Sequence, residues 1–474
     1  MPFISLSFAV LFVAAASLYH LAPRLGSGAS RAQRLLLLLA GLVFYAFAGP
    51  GLLPILLYLV IVSWAAGLVV RGRLSLALLV IALLAPLLFF KYAPRGLRGG
   101  PALPLGLSFL TFQSVGYVAD VYRRKIAAER DPLMVALFVG FFPTIASGPI
   151  QRAPVLLPQL REVHRFDYGS ATDGMRLFAW GMLKKLVIAD RIAVYVDYVY
   201  GNIPGSHGPA LLLATVLYSF QIYCDFSGYS DMAVGVARYF GFDAGRNFDH
   251  PYLAQSVGEF WRRWHISLSS WLRDYINIPL GGSRVALPRI YLNLMITFLV
   301  SGVWPGAGWT CVAWGLLHGA YQCVGRAMKP LQEKLRIPAF VRIVVTFCLV
   351  TFAWIFFRAE SMGGALAVVR GIARIPQDIG AFFSLKAAFG LKTAAWALLT
   401  LKGADFGKFS ELAEAISMLI VFAFVSLMTR NKPGLALIRE RPIALRFALY
   451  FALTAAIVLF QSNTYSSDFI YQNF

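Results

Sequence analysis

Charge is scarce in this chain, and negative charge is scarcer still. Of 474 residues only 14% are Asp, Glu, Lys or Arg, with 22 acids against 43 bases. Soluble domains carry about a quarter charged residues, so the set of soluble domains that this length would otherwise suggest is excluded. Cysteine is scarce too. Cys224, Cys311, Cys323 and Cys348 lie in or beside apolar stretches, and neither CxxC nor HExxH occurs. That rules out a zinc ribbon, a dithiol redox pair and a zincin helix, and leaves the thiols as small buried hydrophobes. Repeats, low-complexity tracts and long polar linkers are missing as well. No room remains for a soluble catalytic domain, so a single membrane domain over 1–474 is expected.

What is plentiful is apolar surface: 59% of residues are hydrophobic and the mean hydropathy is +0.68. A bilayer core about 30 Å thick needs about 20 apolar residues per helix. Runs approaching that length stand near 3–23, 35–49, 51–70, 74–90, 133–148, 209–224, 286–304, 308–325, 343–357, 412–428 and 445–461. They predict an all-α, polytopic integral membrane protein of about eleven helices. Segments 103–120 and 174–199 are apolar but interrupted by charge or glycine, and are expected to be re-entrant or interfacial.

The net charge of +21 does not indicate nucleic acid. The bases sit in short connections, among them Arg71, Arg73, Lys91, Arg95, Arg123, Arg124 and Lys125. The positive-inside rule and anionic headgroups account for that placement, and no basic stripe with interleaved aromatics is visible. Residues 1–23 have no basic n-region or small-residue cleavage site, so a retained first helix is expected. Arg24, Arg31 and Arg34 at one end, and Arg430, Lys432, Arg439, Arg441 and Arg446 at the other, place both termini outside. The basic stretches 71–73 and 91–98 flank a single span and leave the middle unassigned.

Ionisable groups inside a membrane are costly and therefore candidates for function. In 259–282, EFWRRWHISLSSWLRDYINIPLGG, a continuous helix would align Trp261, Trp264, His265, Leu268, Leu272 and Tyr275 on one stripe. His265 is the titratable member, a core histidine or a functional one. In 310–325, TCVAWGLLHGAYQCVG, Gly315 and Gly319 form a small-xxx-small pair beside His318, with Trp314 a turn above and Gln322 a turn below. A neutral histidine there is suited to act as a general base. Asp225 and Asp231 flank Gly228, where a broken helix capped by the acids is expected, both in structural roles. Lys184, Lys185, Asp190 and Arg191 on 181–197 either hold a donor's phosphates at the cytoplasmic face or snorkel to headgroups.

Taken together these segments resemble the membrane-bound O-acyltransferase family, and within it the bacterial alginate O-acetyltransferase-like branch. The resemblance runs through LPLGLSFLTFQSVGYVADVYRRK at 103–125, FFPTIASGPIQRAPVLLPQL at 141–160, KKLVIAD at 184–190, DFSGYSDMAVG at 225–235 and NFDHPY at 247–252. It continues in FWRRWHISLSSWLRDY at 260–275, WGLLHG at 314–319 and the tail DFIYQNF at 468–474. It implies helices around a tunnel, with His318 as catalytic base and His265 assisting. Trp304, Trp264, Asn293, Gln322 and Asp225 would contact substrate, and Lys184 and Lys185 the donor. No bound cofactor is implied. A cytoplasmic thioester, acetyl-CoA or an acyl carrier protein, would supply an acyl group, most simply acetyl. The acceptor would be an extracytoplasmic polysaccharide, reached directly or through periplasmic acetyltransferase or polysaccharide synthase partners, in the bacterial inner membrane among its lipids. One departure stands out: WPGAGW at 304–309 carries Pro305 where this branch usually has a histidine. Two other readings compete, a proton-coupled transporter or flippase and a non-catalytic partner of a polymer synthase. The lack of an internal duplication speaks against the transporter.

Overall fold

The computed structural model describes residues 2–47, 49–92, 104, 106–306, 308–380, 383, 408–428 and 440–460. The expectations for Arg95, for Arg430, Lys432 and Arg439, and for the tail 468–474 lie outside these residues. The described residues are helical, with no strand among them. The first half holds α1 (Leu6–Leu21), α2 (Ala29–Ala46), α3 (Leu53–Val69), α4 (Arg73–Tyr92), α5 (Leu107–Tyr122), α6 (Pro132–Val139), α7 (Phe142–Ile145), α8 (Ala153–Arg161), α9 (Tyr168–Met182) and α10 (Asp190–Tyr200). Then come α11 (Gly208–Tyr239), α12 (Val257–Arg263), α13 (Ile266–Leu272), α14 (Leu287–Val303), α15 (Trp309–Ala327) and α16 (Lys329–Leu335). The last are α17 (Ala339–Arg358), α18 (Met362–Ala373), α19 (Lys408–Met428) and α20 (Ile443–Phe460).

Among the described residues, the apolar runs of the sequence fall mainly on helix. Five stretches are long and apolar enough to cross a membrane: Leu6–Ala46, α4, α11, α17 and α20. Within Leu6–Ala46, α1 and α2 are divided by a tight turn in which Gly26 takes φ 60°. Run 133–148 is not one span, since Gly140 ends α6 and Phe141 is extended before α7. The hydrocarbon of a bilayer explains the exposed apolar side chains on the longest helices, such as Leu74, Leu78 and Ile81 on α4. Segment 107–122 is a buried helix, with polar Gln113, Ser114 and Asp120 enclosed along with its apolar residues.

The chain divides into two compact units. The first comprises 1–182, 229–247 and 265–275, so α1 to α9 are joined by the end of α11 and by α13. There Trp271 Nε1 donates to the Phe112 carbonyl at 2.8 Å, and Tyr275 Oη donates to Asp120 at 2.7 Å. The second comprises 183–228, 248–264 and 276–474, with α10, most of α11, α12 and α14 onward.

Candidate active site

In the second unit α14 ends at Val303 and α15 begins at Trp309, with Trp304 and Pro305 buried in the turn between them. The two helices lie close because glycines face their contact. A Cβ on Gly302 would stand 2.6 Å from the Cys311 carbonyl oxygen, and one on Gly319 would stand 2.9 Å from the Met295 sulfur. Gly315 is shut in the same way against the Phe298 carbonyl. The expected close approach at Gly315 and Gly319 is therefore present, and the approaching helix is α14.

This packing encloses His318 completely, at 0% exposure. The rings of Trp261, Trp314, Phe260, Phe298, Tyr321 and Trp354 surround it, with centroids 5.1 to 6.3 Å away. Trp261 Nε1 donates a hydrogen bond to His318 Nδ1 at 3.2 Å. His318 Nε2 has no hydrogen-bond partner among the described residues. The same holds for Trp314 Nε1, Asn293 Oδ1 and Ser301 Oγ on this hairpin. Buried polar atoms are nearly always paired, so four without partners among the described residues single out this hairpin as the candidate site.

Trp261 reaches His318 from α12. That helix starts at Ser256, whose Oγ accepts from Glu259 N at 3.1 Å, while Glu259 Oε2 accepts from Gln255 N at 2.8 Å. The first bond is the N-cap half of a Ser-x-x-Glu capping box, while the glutamate reaches one residue further back than the box requires. The helix ends where Trp264 turns extended and His265 enters the left-handed region at φ 42°, ψ 56°. The single helix expected across 259–275 is thus corrected to two short ones and a π-helical turn over Arg273–Asn277. The reason is tertiary. Ile266 N donates to the Asn247 carbonyl at 2.9 Å, and Ser267 Oγ to Asn247 Oδ1 at 2.6 Å; Ser267 Oγ in turn accepts from Ile150 N at 3.0 Å. With Ser267 N also donating to Asn247 Oδ1 at 3.4 Å, Asn247 satisfies the first two donors of α13, and the set offsets the roughly 1–2 kcal/mol that a left-handed non-glycine residue costs. His265 itself is buried, outside the membrane-spanning helices, and burial pushes its pKa down to about 3, so its ring is neutral. It lies in the first unit and His318 in the second.

The other expected site residues divide by surroundings. Trp264 is buried and stacks on Phe260 with centroids 5.4 Å apart, and it meets Trp354 at 5.2 Å. Asn293 Nδ2 donates to the Gly282 carbonyl at 3.3 Å, and Gln322 Nε2 reaches the Val257 carbonyl at 3.5 Å. Trp304 is buried at the end of α14. Asp225, Lys184 and Lys185 belong to a separate ionic cluster. Lys185 Nζ lies 2.8 Å from Asp190 Oδ1 and 2.7 Å from Asp225 Oδ1, and its side chain is 0% exposed. Lys184 Nζ donates to Ser227 Oγ at 2.9 Å. A π-helical stretch over Leu183–Ala189 lets these consecutive lysines both reach α11. That helix runs unbroken from Gly208 to Tyr239, so the expected break at Gly228 is corrected: Asp225 is neutralised by Lys185 and caps nothing. Lys185 is thus enclosed between two carboxylates, and Lys184 is turned to a serine of α11.

Sequence reasoning missed Trp261 as the partner of His318 and Asn247 as the anchor of the His265 turn. In the sequence Trp261 sits on an apolar stripe, and its indole N–H is the available signal, since a buried indole N–H needs an acceptor.

Comparison with known proteins agrees with this architecture. Residues 176–363, which include both histidines and the α14–α15 hairpin, match the model of the membrane-bound O-acyltransferase family. The peptidoglycan O-acetyltransferase of Helicobacter pylori is 35% identical over 72% of this chain and 73% of its own length. A Pseudomonas aeruginosa protein named "Probable alginate O-acetylase AlgI" is 37% identical over 70% of this chain and 68% of its own. The teichoic acid D-alanyltransferase of Bacillus subtilis is 30% identical over 59% and 77% respectively.

Proposed function

The chain belongs to the membrane-bound O-acyltransferase family and is a multi-pass membrane O-acyltransferase, and on that basis we propose that it acylates an extracytoplasmic glycan with His318 at the reacting centre. The donor in this reading is a cytoplasmic thioester, acetyl-CoA or an acyl carrier protein, and the group moved is acetyl. The acceptor is a polymer hydroxyl outside the inner membrane, reached directly or through periplasmic partners. The relatives named for peptidoglycan, alginate and teichoic acid support a cell-surface polymer as acceptor.

The observation that supports this reading is the buried His318 Nε2, without a hydrogen-bond partner among the described residues, on the hairpin that also holds Asn293 Oδ1, Ser301 Oγ and Trp314 Nε1 in the same condition. A histidine kept only for packing has no use for such a set. Detergent-purified protein should release thiol from acetyl-CoA or from an acetylated carrier protein when acceptor glycan is supplied. A folded, monodisperse preparation that releases none from either donor contradicts the proposal.

A further inference from the structure

The partner of His318 decides which proton the ring carries. An indole N–H only donates, and Trp261 Nε1 aims its hydrogen at His318 Nδ1 across 3.2 Å, with both side chains buried. Nδ1 must therefore supply a lone pair. A proton on Nδ1, whether in the other neutral tautomer or in imidazolium, would set two hydrogens against each other inside an aromatic enclosure. The ring is thus neutral with its hydrogen on Nε2, the nitrogen that has no partner among the described residues. We infer that Trp261 fixes His318 as the Nε2–H tautomer, so that His318 serves as hydrogen-bond donor to the thioester carbonyl oxygen and not as the base that takes the acceptor's proton. The inference rests on the placement of His318 at the reacting centre.

The arrangement is the reverse of a histidine base. Such a base has an acceptor, commonly a carboxylate, behind one ring nitrogen; the acceptor holds the hydrogen there and leaves a lone pair facing the substrate. Here a donor stands behind the ring, so a hydrogen faces the substrate. Among the described residues no carboxylate pairs with His318, and the groups around it are aromatic rings. In that apolar surround a fixed N–H acts most strongly on developing negative charge.

The step then balances as follows. The acceptor hydroxyl oxygen bonds to the thioester carbon, and the carbonyl π electrons move onto oxygen, where the Nε2–H holds them. Collapse re-forms the carbonyl and breaks the C–S bond. The electron pair leaves on sulfur, and the hydroxyl proton ends there as free thiol. His318 keeps its hydrogen throughout, and Trp261 is a positioning residue that sets the tautomer.

Substitution separates donor from base. The side-chain amide of His318→Gln presents an N–H near the place of Nε2 and has no basic nitrogen. Loss of one oxyanion donor typically costs about 10²–10³ in kcat. The expected order is therefore His318→Gln within about tenfold of parent and His318→Ala lower by a further tenfold or more. Trp261→Phe keeps a ring and removes the donor; it should lower kcat more than it changes KM. ¹⁵N spectra of histidine-labelled parent in lipid nanodiscs, with His318 assigned by difference from His318→Gln, should show Nε2 protonated and Nδ1 bare. In Trp261→Phe the Nδ1 signal should shift. A protonated Nδ1 in the parent, or a His318→Gln as inactive as a folded His318→Ala, overturns the inference. A fully active His318→Ala instead removes the reading beneath it.

Discussion

Lys185 and His318 are both fully enclosed in the second unit, and their environments answer burial in opposite ways. Lys185 is met by two carboxylates within 2.8 Å. His318 is met by aromatic rings and one N–H, and its Nε2 has no partner among the described residues. Burying a charge is tolerable only with partners, and once those are in place the group has little capacity for a ligand. A neutral imidazole can be buried at lower cost with a polar atom left open, and that atom can act on a substrate. The sequence presents both simply as ionisable residues in apolar stretches; the difference between scaffold and site lies in what each faces.

The largest effect should come from opening the ionic cluster. Lys185→Met removes the cation that lies 2.8 Å from Asp190 and 2.7 Å from Asp225, and breaking such a buried pair typically costs about 3–5 kcal/mol. Thermal denaturation in detergent should show a collapsed midpoint or no folded protein. An unchanged midpoint would remove the contrast with His318.

A smaller effect concerns His265, whose pKa of about 3 lies below the ordinary 6.5 because of burial. Its folded-state pKa is depressed, so the stability it confers is complete above pH 6.5 and is lost as pH falls toward 3. Going from pH 7 to pH 5 should cost about 2 kcal/mol from this group alone. Comparing thermal midpoints of parent and His265→Gln at the two values isolates that slope. Equal slopes in the two proteins would show that His265 does not carry it.

The smallest effect is expected at Pro305, buried in the α14–α15 turn. Pro305→His should leave turnover within a few-fold of parent, because the account places the chemistry at His318. A gain of about a hundredfold, worth about 2.7 kcal/mol of barrier, would show that the chain acts without a group it needs.

Much of the fold was legible because its causes are local. Bilayer-length apolar runs and a glycine pair around His318 need no knowledge of distant residues, and both hold in the structure. The acids at 225 and 190 and the lysine at 185 were visible, but their pairing needed α11 to run unbroken through Gly228. The division of 259–275 depends on Asn247, which accepts from the first donors of α13, and on Ile150, whose N–H donates to Ser267 Oγ; helical periodicity contains no trace of them. The bond between Trp261 and His318 spans 57 residues of sequence and joins two segments that each read as complete alone.

The most direct test of the claim that His318 is site and not scaffold is a paired measurement on purified, monodisperse His318→Ala: acyl transfer and thermal midpoint on the same sample. Turnover should fall by about 10²–10³ with a midpoint near that of the parent. Retention of more than about a tenth of parental turnover, or a collapse of the midpoint like that expected for Lys185→Met, would contradict it.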